Sequence, residues 1–343
     1  MLPDLIPTAD VLEEVLSRPT PAVIDVMRTL PGDLLVLGAG GKMGPSLCRM
    51  ARRAAEAAGM RRRIIAVSRF SQPRIAEQLQ SWDVETLPCD LLQAGAVDRL
   101  PEAPLVVSML GYKFGTQDHG AHTWAVNVWA AGLIAQRYRR SRLVFFSTGN
   151  VYPLSPVSLG GSLESDPLSP VGEYGASAVG RERMVEYFSR CHDTPVSIVR
   201  LNYAQELRYG ILVELAQSVL QERPIDLTMG HFNAIWQGDA NAAALASLAH
   251  ATSPPCVFNL AGPETLSVRQ VCQQFGRIMG RTPRFTGSEA PEALLSNSQL
   301  AMRVFGYPTV PVQQMIHWIA HWVQQGGENL GRPTHYEVRD GRF

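Results

Sequence analysis

The sequence predicts an α/β fold: a doubly wound parallel sheet with helices on both faces, followed by a smaller C-terminal lobe. Two observations predict it. Short apolar runs at 34–37, 63–67, 105–109, 143–147 and 196–201 alternate with helical stretches, the order that builds a parallel sheet. The first run, Leu34-Leu35-Val36-Leu37, is apolar without polar alternation, as in a strand covered on both faces. A length of 343 residues suits one large domain with an appendage, or two domains.

Residues 1–30 read as a helical leader, with Thr8 or Asp10 as N-cap before Val11, Leu12, Val15 and Leu16. Pro31-Gly32 marks a turn, 34–37 is the first strand, and 43–58 is an Ala- and Arg-rich helix that stops at Gly59. The main domain is expected over 31–202, with 232–262 returning to it. From 203 the elements come in quick succession: helix 209–222, strand 224–228, helix 238–250, strand 257–260, then helices 267–279 and 311–324. Segments 203–231 and 263–325 read as a substrate lobe closing over the carboxyl ends of the sheet strands. The polar tail, 326–343, is expected to be mobile.

Lys plus Arg and Asp plus Glu both total 31, so the net charge is zero and polyanion binding is not expected. No run of ~20 apolar residues exists to cross a membrane, and the start MLPDLIPTAD has no signal-peptide pattern. Five scattered cysteines, never spaced CxxC, read as reduced thiols of a cytoplasmic chain. The cations comprise 29 Arg and only two Lys, Lys42 and Lys113.

The segment from Leu34 to Gly44 is a buried-type strand, a glycine turn and a helix start. Its glycines, Gly38, Gly41 and Gly44, permit a tight turn, close approach of a pyrophosphate, and close helix–strand packing. The helix start, at Lys42, Met43 and Gly44, offers free N–H groups to phosphates. Strand, glycine loop and helix at the head of an alternating pattern give a Rossmann-type dinucleotide site. The second strand ends in Ser68-Arg69, where an NAD-specific site places an acid. Ser68 and Arg69, with Lys42 assisting, favour NADP; NAD is the alternative.

The remaining motifs resemble the extended short-chain dehydrogenase/reductases, the NAD-dependent epimerase/dehydratase family, over 34 to about 324. Pro88-Cys89-Asp90-Leu91 is similar to the acidic–apolar pair that brackets adenine. Val107 to Gly111, including Leu110, matches the fourth-strand turn beneath nicotinamide. Asn127-Val128, Phe146 to Tyr152, Ile235 to Ala240, Phe258 to Val268 and Phe305 to Pro308 resemble further family stretches. The resemblance implies catalysis by Thr148 and Tyr174, substrate contacts from Asn150, Tyr152 and Asn202, and a homodimer built through a helix bundle.

The family also has a lysine four residues after its tyrosine, and Ala178 stands there. A free tyrosine titrates near ~10, and a nearby cation raises its phenolate share. Two replacements are open: Arg181, two helical turns beyond Tyr174, and Lys113, in the loop after the fourth strand. The His317/His321 and His119/His122 pairs lack a third ligand, so no metal is assigned. The resulting expectation is an NADP-preferring oxidoreductase or epimerase acting on a hydroxyl or carbonyl of a small polar, sugar-like substrate. The alternative is a dinucleotide-binding regulatory or structural protein without hydride transfer.

Overall fold

The computed structural model describes residues 2–113, 115–116 and 118–342. Seven strands form one parallel sheet: β1 (Leu34–Leu37), β2 (Ile64–Ser68), β3 (Glu85–Pro88), β4 (Leu105–Ser108), β5 (Arg142–Thr148), β6 (Val196–Leu201) and β7 (Cys256–Leu260). Their order is β7-β6-β5-β4-β1-β2-β3. Of the five inner strands, β1, β2, β4 and β5 are almost wholly buried, which is why they read as mainly apolar runs. Edge strand β3, Glu-Thr-Leu-Pro, is half exposed and carries no such signal. The order reverses between β1 and β4, and an open α/β sheet leaves its ligand crevice beyond the carboxyl ends there.

The first thirty residues are two helices, α1 (Ala9–Leu16) and α2 (Pro21–Thr29), capped by the Thr8 and Thr20 side chains. They are not a separate leader. Leu12, Val15 and Leu16 of α1 join the core of the C-terminal lobe, and Val23, Val26 and Met27 of α2 pack in the sheet's core. The sheet is flanked by α3 (Gly44–Ala57), α4 (Pro73–Ser81), α5 (120–137), which contains a π turn at Ala125–Trp129, and α6 (Gly172–His192).

The lobe is built on α7 (Ile211–Leu220), α9 (Val268–Met279) and α11 (Val312–Gln324), packed around Leu212, Phe275 and Trp318. Between them lie α8 (Gln237–Ala246) and α10 (Gln299–Phe305). The polar tail does not hang free. Leu330 N–H donates to the Arg208 carbonyl, Tyr336 is 7% exposed within the lobe core, and Arg339 donates to the Glu292 carbonyl at 2.9 Å. Gly341 packs against Val171 and Gly172 at the start of α6. Composition misleads here because a few anchors hold an otherwise polar segment.

Candidate active site

The glycine loop leaves β1 at Gly38, where φ is +79°. A Cβ there would lie 3.0 Å from the Leu110 nitrogen. Gly38 therefore makes the turn and lets the loop after β4 pass close beneath it. A Cβ on Gly44 would collide with the Ala39 backbone, so that glycine serves packing. Gly41 differs: its Cβ would meet nothing nearer than the Gly38 carbonyl, at 3.4 Å. Its outer side is open, as close approach of a pyrophosphate requires. No side chain caps the start of α3, which leaves N–H groups for an anion.

A groove of about 350 Å³ passes this loop. Ser68, Arg69, Asp90 and Leu91 line it, as do Gly38, Gly41, Leu110 and Gly111. These residues fit a dinucleotide: an open glycine backbone for phosphates, polar and basic groups at the end of β2, and a glycine at the end of β4.

A smaller cavity of about 140 Å³ adjoins the next residues of the same two loops, Lys42-Met43 and Lys113. It gathers Thr148, Asn150, Tyr174 and Asn202. Thr148 ends β5, and its hydroxyl oxygen accepts from the Asn150 N–H at 3.2 Å and from Asn150 Nδ2 at 3.1 Å. With its lone pairs so used, the Thr148 proton is free to donate into the cavity. Tyr174 comes from the first turn of α6. Lys113 Nζ lies 6.0 Å from the Tyr174 ring centre and donates to the Thr334 carbonyl at 3.0 Å. Lys42 Nζ donates to the Ala204 carbonyl at 3.2 Å and sits 3.9 Å over the Tyr209 ring.

Burial lowers both lysines. Lys42 falls to about 7, with Lys113 and Arg208 adding repulsion and Glu206 opposing it. Lys113 falls to about 8, burial being partly offset by Glu214 and Glu337.

The match to the NAD dependent epimerase/dehydratase family spans residues 34–204, from β1 through the Tyr174 helix to the start of the lobe. The chain belongs to this family. Similar solved structures include MoeE5 in complex with UDP-glucuronic acid and NAD, 19% identical, TM-score 0.68, covering 86% of this chain and 100% of that one. UDP-glucuronic acid 4-epimerase from Bacillus cereus, in complex with NAD, is 17% identical with a TM-score of 0.71, covering 85% and 99%. UDP-glucose 4-epimerase from Thermotoga maritima, with UDP-glucose, is 15% identical with a TM-score of 0.69, covering 86% and 99%. At such identities the likeness shows the fold. No curated protein matches the chain.

Several residues of this epimerase/dehydratase chain lie elsewhere than the sequence suggests. Tyr152 is 2% exposed and does not line the cavity. The single 3₁₀ turn Gly149–Val151 directs it inward, where its hydroxyl donates to Asn259 Oδ1 and accepts from Arg200. Arg200 also holds Glu182 in a buried ion pair at 2.7 Å. Arg181 does not line the cavity: Nε and Nη2 donate to the Asn127 carbonyl and Oδ1, and Nη1 to the Phe146 carbonyl. Those acceptors capture its guanidinium beneath Gly111. Lys42 lies away from Ser68 and Arg69, because its stem reaches across to Ala204. Ala178 is wholly buried in an apolar cluster with Val151 and Tyr152. Asn202, 2% exposed, shows only an edge to the cavity.

Asn127 was legible only as a family match, and its work is positional. Its side chain accepts from the Tyr112 N–H at 2.8 Å and donates to the Tyr112 carbonyl at 3.0 Å, fixing the loop that carries Lys113. It sits in the π turn, a deformation frequent at functional sites. Tyr203, Tyr209 and Thr334 also face the cavity. Tyr203 does so from a positive φ of +49°, for which the sequence gives no cue.

Proposed function

We propose that the chain is an NADP-preferring oxidoreductase or epimerase acting on a hydroxyl or carbonyl of a small polar, sugar-like substrate. One observation carries the reading: the loops that end the dinucleotide groove at Gly41 and Gly111–Tyr112 supply, one residue later, the cavity shared by Thr148, Tyr174 and Lys113. Thr148 donates to the reacting oxygen, and Tyr174 exchanges a proton with it. Lys113, delivered by the β4 loop in place of the missing lysine at Ala178, supplies positive charge beside Tyr174. The nicotinamide, when bound, provides the acceptor or donor of hydride.

Preference for NADP rests on Ser68 and Arg69 at the end of β2, with no carboxylate there. Arg74 and Arg332 support it, since they face a second hollow of about 520 Å³ across Gly40 and Gly41. Two of the neighbouring structures above, MoeE5 and the Bacillus cereus epimerase, hold NAD, and NAD is the fallback for this chain. Trp129 and Tyr187, 59% and 60% exposed on α5 and α6, support homodimerisation through those helices. Five free thiols support a cytoplasmic location.

Single-turnover absorbance in the reduced-nicotinamide band, with a panel of sugars and sugar acids, tests the activity. Appearance of reduced cofactor, lost in Tyr174→Phe, is expected. Tight dinucleotide binding with no absorbance change for any compound favours the regulatory or structural reading.

A further inference from the structure

The only two lysines of the chain line one small cavity, and they reach it from different loops. Each ammonium carries three donors. Among the described residues Lys42 has a single hydrogen-bond acceptor, the Ala204 carbonyl, and no carboxylate within ion-pair distance. Glu206, the nearby acid, is itself ion-paired with Arg208 at 3.1 Å, so the half-buried Lys42 keeps a desolvation cost that falls when an anion enters. The catalytic hydroxyls Thr148 and Tyr174 border the same 140 Å³, so a charged group held by the lysines and the reacting carbon cannot be far apart.

The roof of the cavity adds a second constraint. Thr334, 3% exposed, closes it from the C-terminal segment. Its N–H and hydroxyl both donate to the Glu214 carboxylate, and its carbonyl receives Lys113. The segment is anchored on either side of this point, at Leu330 and Tyr336. On the side of Thr334, therefore, the cavity has little room for a bulky substituent on the substrate.

We infer that the substrate is a small free acid, a hydroxy or oxo acid of sugar size or less, whose carboxylate is held by Lys42 and Lys113 within one or two carbons of the reacting carbon. The inference rests on the proposed oxidoreductase reading and adds the substrate class. Oxidation then moves hydride from the carbinol carbon to the oxidised nicotinamide dinucleotide and the hydroxyl proton to Tyr174, while the carboxylate is unchanged.

The test uses the full chain loaded with NADP. Glucose, glucuronate and UDP-glucuronate are compared for binding by calorimetry and for reduction of cofactor by absorbance, with oxalate as an unreactive anion. Glucuronate should bind at least ~10-fold more tightly than glucose, as charge-assisted hydrogen bonds require. Lys42→Met and Lys113→Met should each erase most of that difference. Equal binding of glucose and glucuronate, no binding of either anion, or turnover confined to UDP-glucuronate overturns the inference. Failure to bind NADP at all would instead count against the proposed function.

Discussion

Replacing Gly41 with valine separates ligand approach from folding, because the three loop glycines have different surroundings. The Gly41 Cβ would meet only the Gly38 carbonyl, at the ordinary contact distance of 3.4 Å, and the backbone there has no positive φ. Valine is therefore accepted by the fold, with melting expected to change by less than ~2 °C. Its branches occupy the outer space that a pyrophosphate needs. Losing one or two charge-assisted hydrogen bonds, each ~1.5–3 kcal/mol, weakens NADP binding ~10-fold or more. Gly44→Ala is the control with the opposite signature. Its Cβ collides with the Ala39 backbone, and such overpacking costs ~1–3 kcal/mol, which lowers the melting temperature by roughly 2–4 °C per kcal/mol. Calorimetric titration with NADP and thermal melting on both variants make the comparison. Unchanged NADP affinity in Gly41→Val would show that the loop is not the seat of the dinucleotide.

Arg69→Ala should cut NADP affinity ~10-fold or more while leaving NAD within about twofold, since a guanidinium matters chiefly to the extra phosphate; equal losses for both cofactors would refute the 2′-phosphate assignment. Carboxylate binding should be strongest below pH 7 and fade as pH rises through about 7 to 8, because lysines so lowered are charged only below those values. The groups facing them are Glu206 and Arg208 beside Lys42, and Glu214 and Glu337 beside Lys113. Glu214, raised to about 7 by burial, loses charge at the acid end. Glucuronate titrations from pH 6 to 9 in buffers of differing ionisation enthalpy check this, with proton uptake expected near pH 8 and a flat profile contradicting it. Trp129→Arg combined with Tyr187→Glu should give a monomer by analytical ultracentrifugation if the α5–α6 face is the dimer contact; an unchanged sedimentation coefficient would move the contact elsewhere.

The inner strands were legible because burial on both faces leaves no polar alternation, and the glycine loop because its spacing follows from turn and contact geometry. Edge strand β3 hides behind exposed Glu85 and Pro88 and the polar Thr86. Side-chain direction was harder. Tyr152 follows a motif that suggests a pocket residue, yet one 3₁₀ turn sends it into a buried network with Arg200 and Asn259. Arg181 leans toward the N-terminus of its helix as expected, but carbonyls of Asn127 and Phe146 intercept it. Lys42 carries a stem long enough to leave the loop on which it sits. The roof at Thr334 is beyond sequence reading, because it depends on a tail returning across more than a hundred residues to Glu214.

A crystal structure of the chain with NADP tests the central claim most directly. The account predicts the adenosine phosphate against Ser68 and Arg69, the pyrophosphate over Gly41, and the nicotinamide at the mouth of the cavity formed by Thr148, Tyr174 and Lys113. A dinucleotide whose nicotinamide lies outside that cavity, or a Lys113 turned to bulk solvent beside it, would contradict the account.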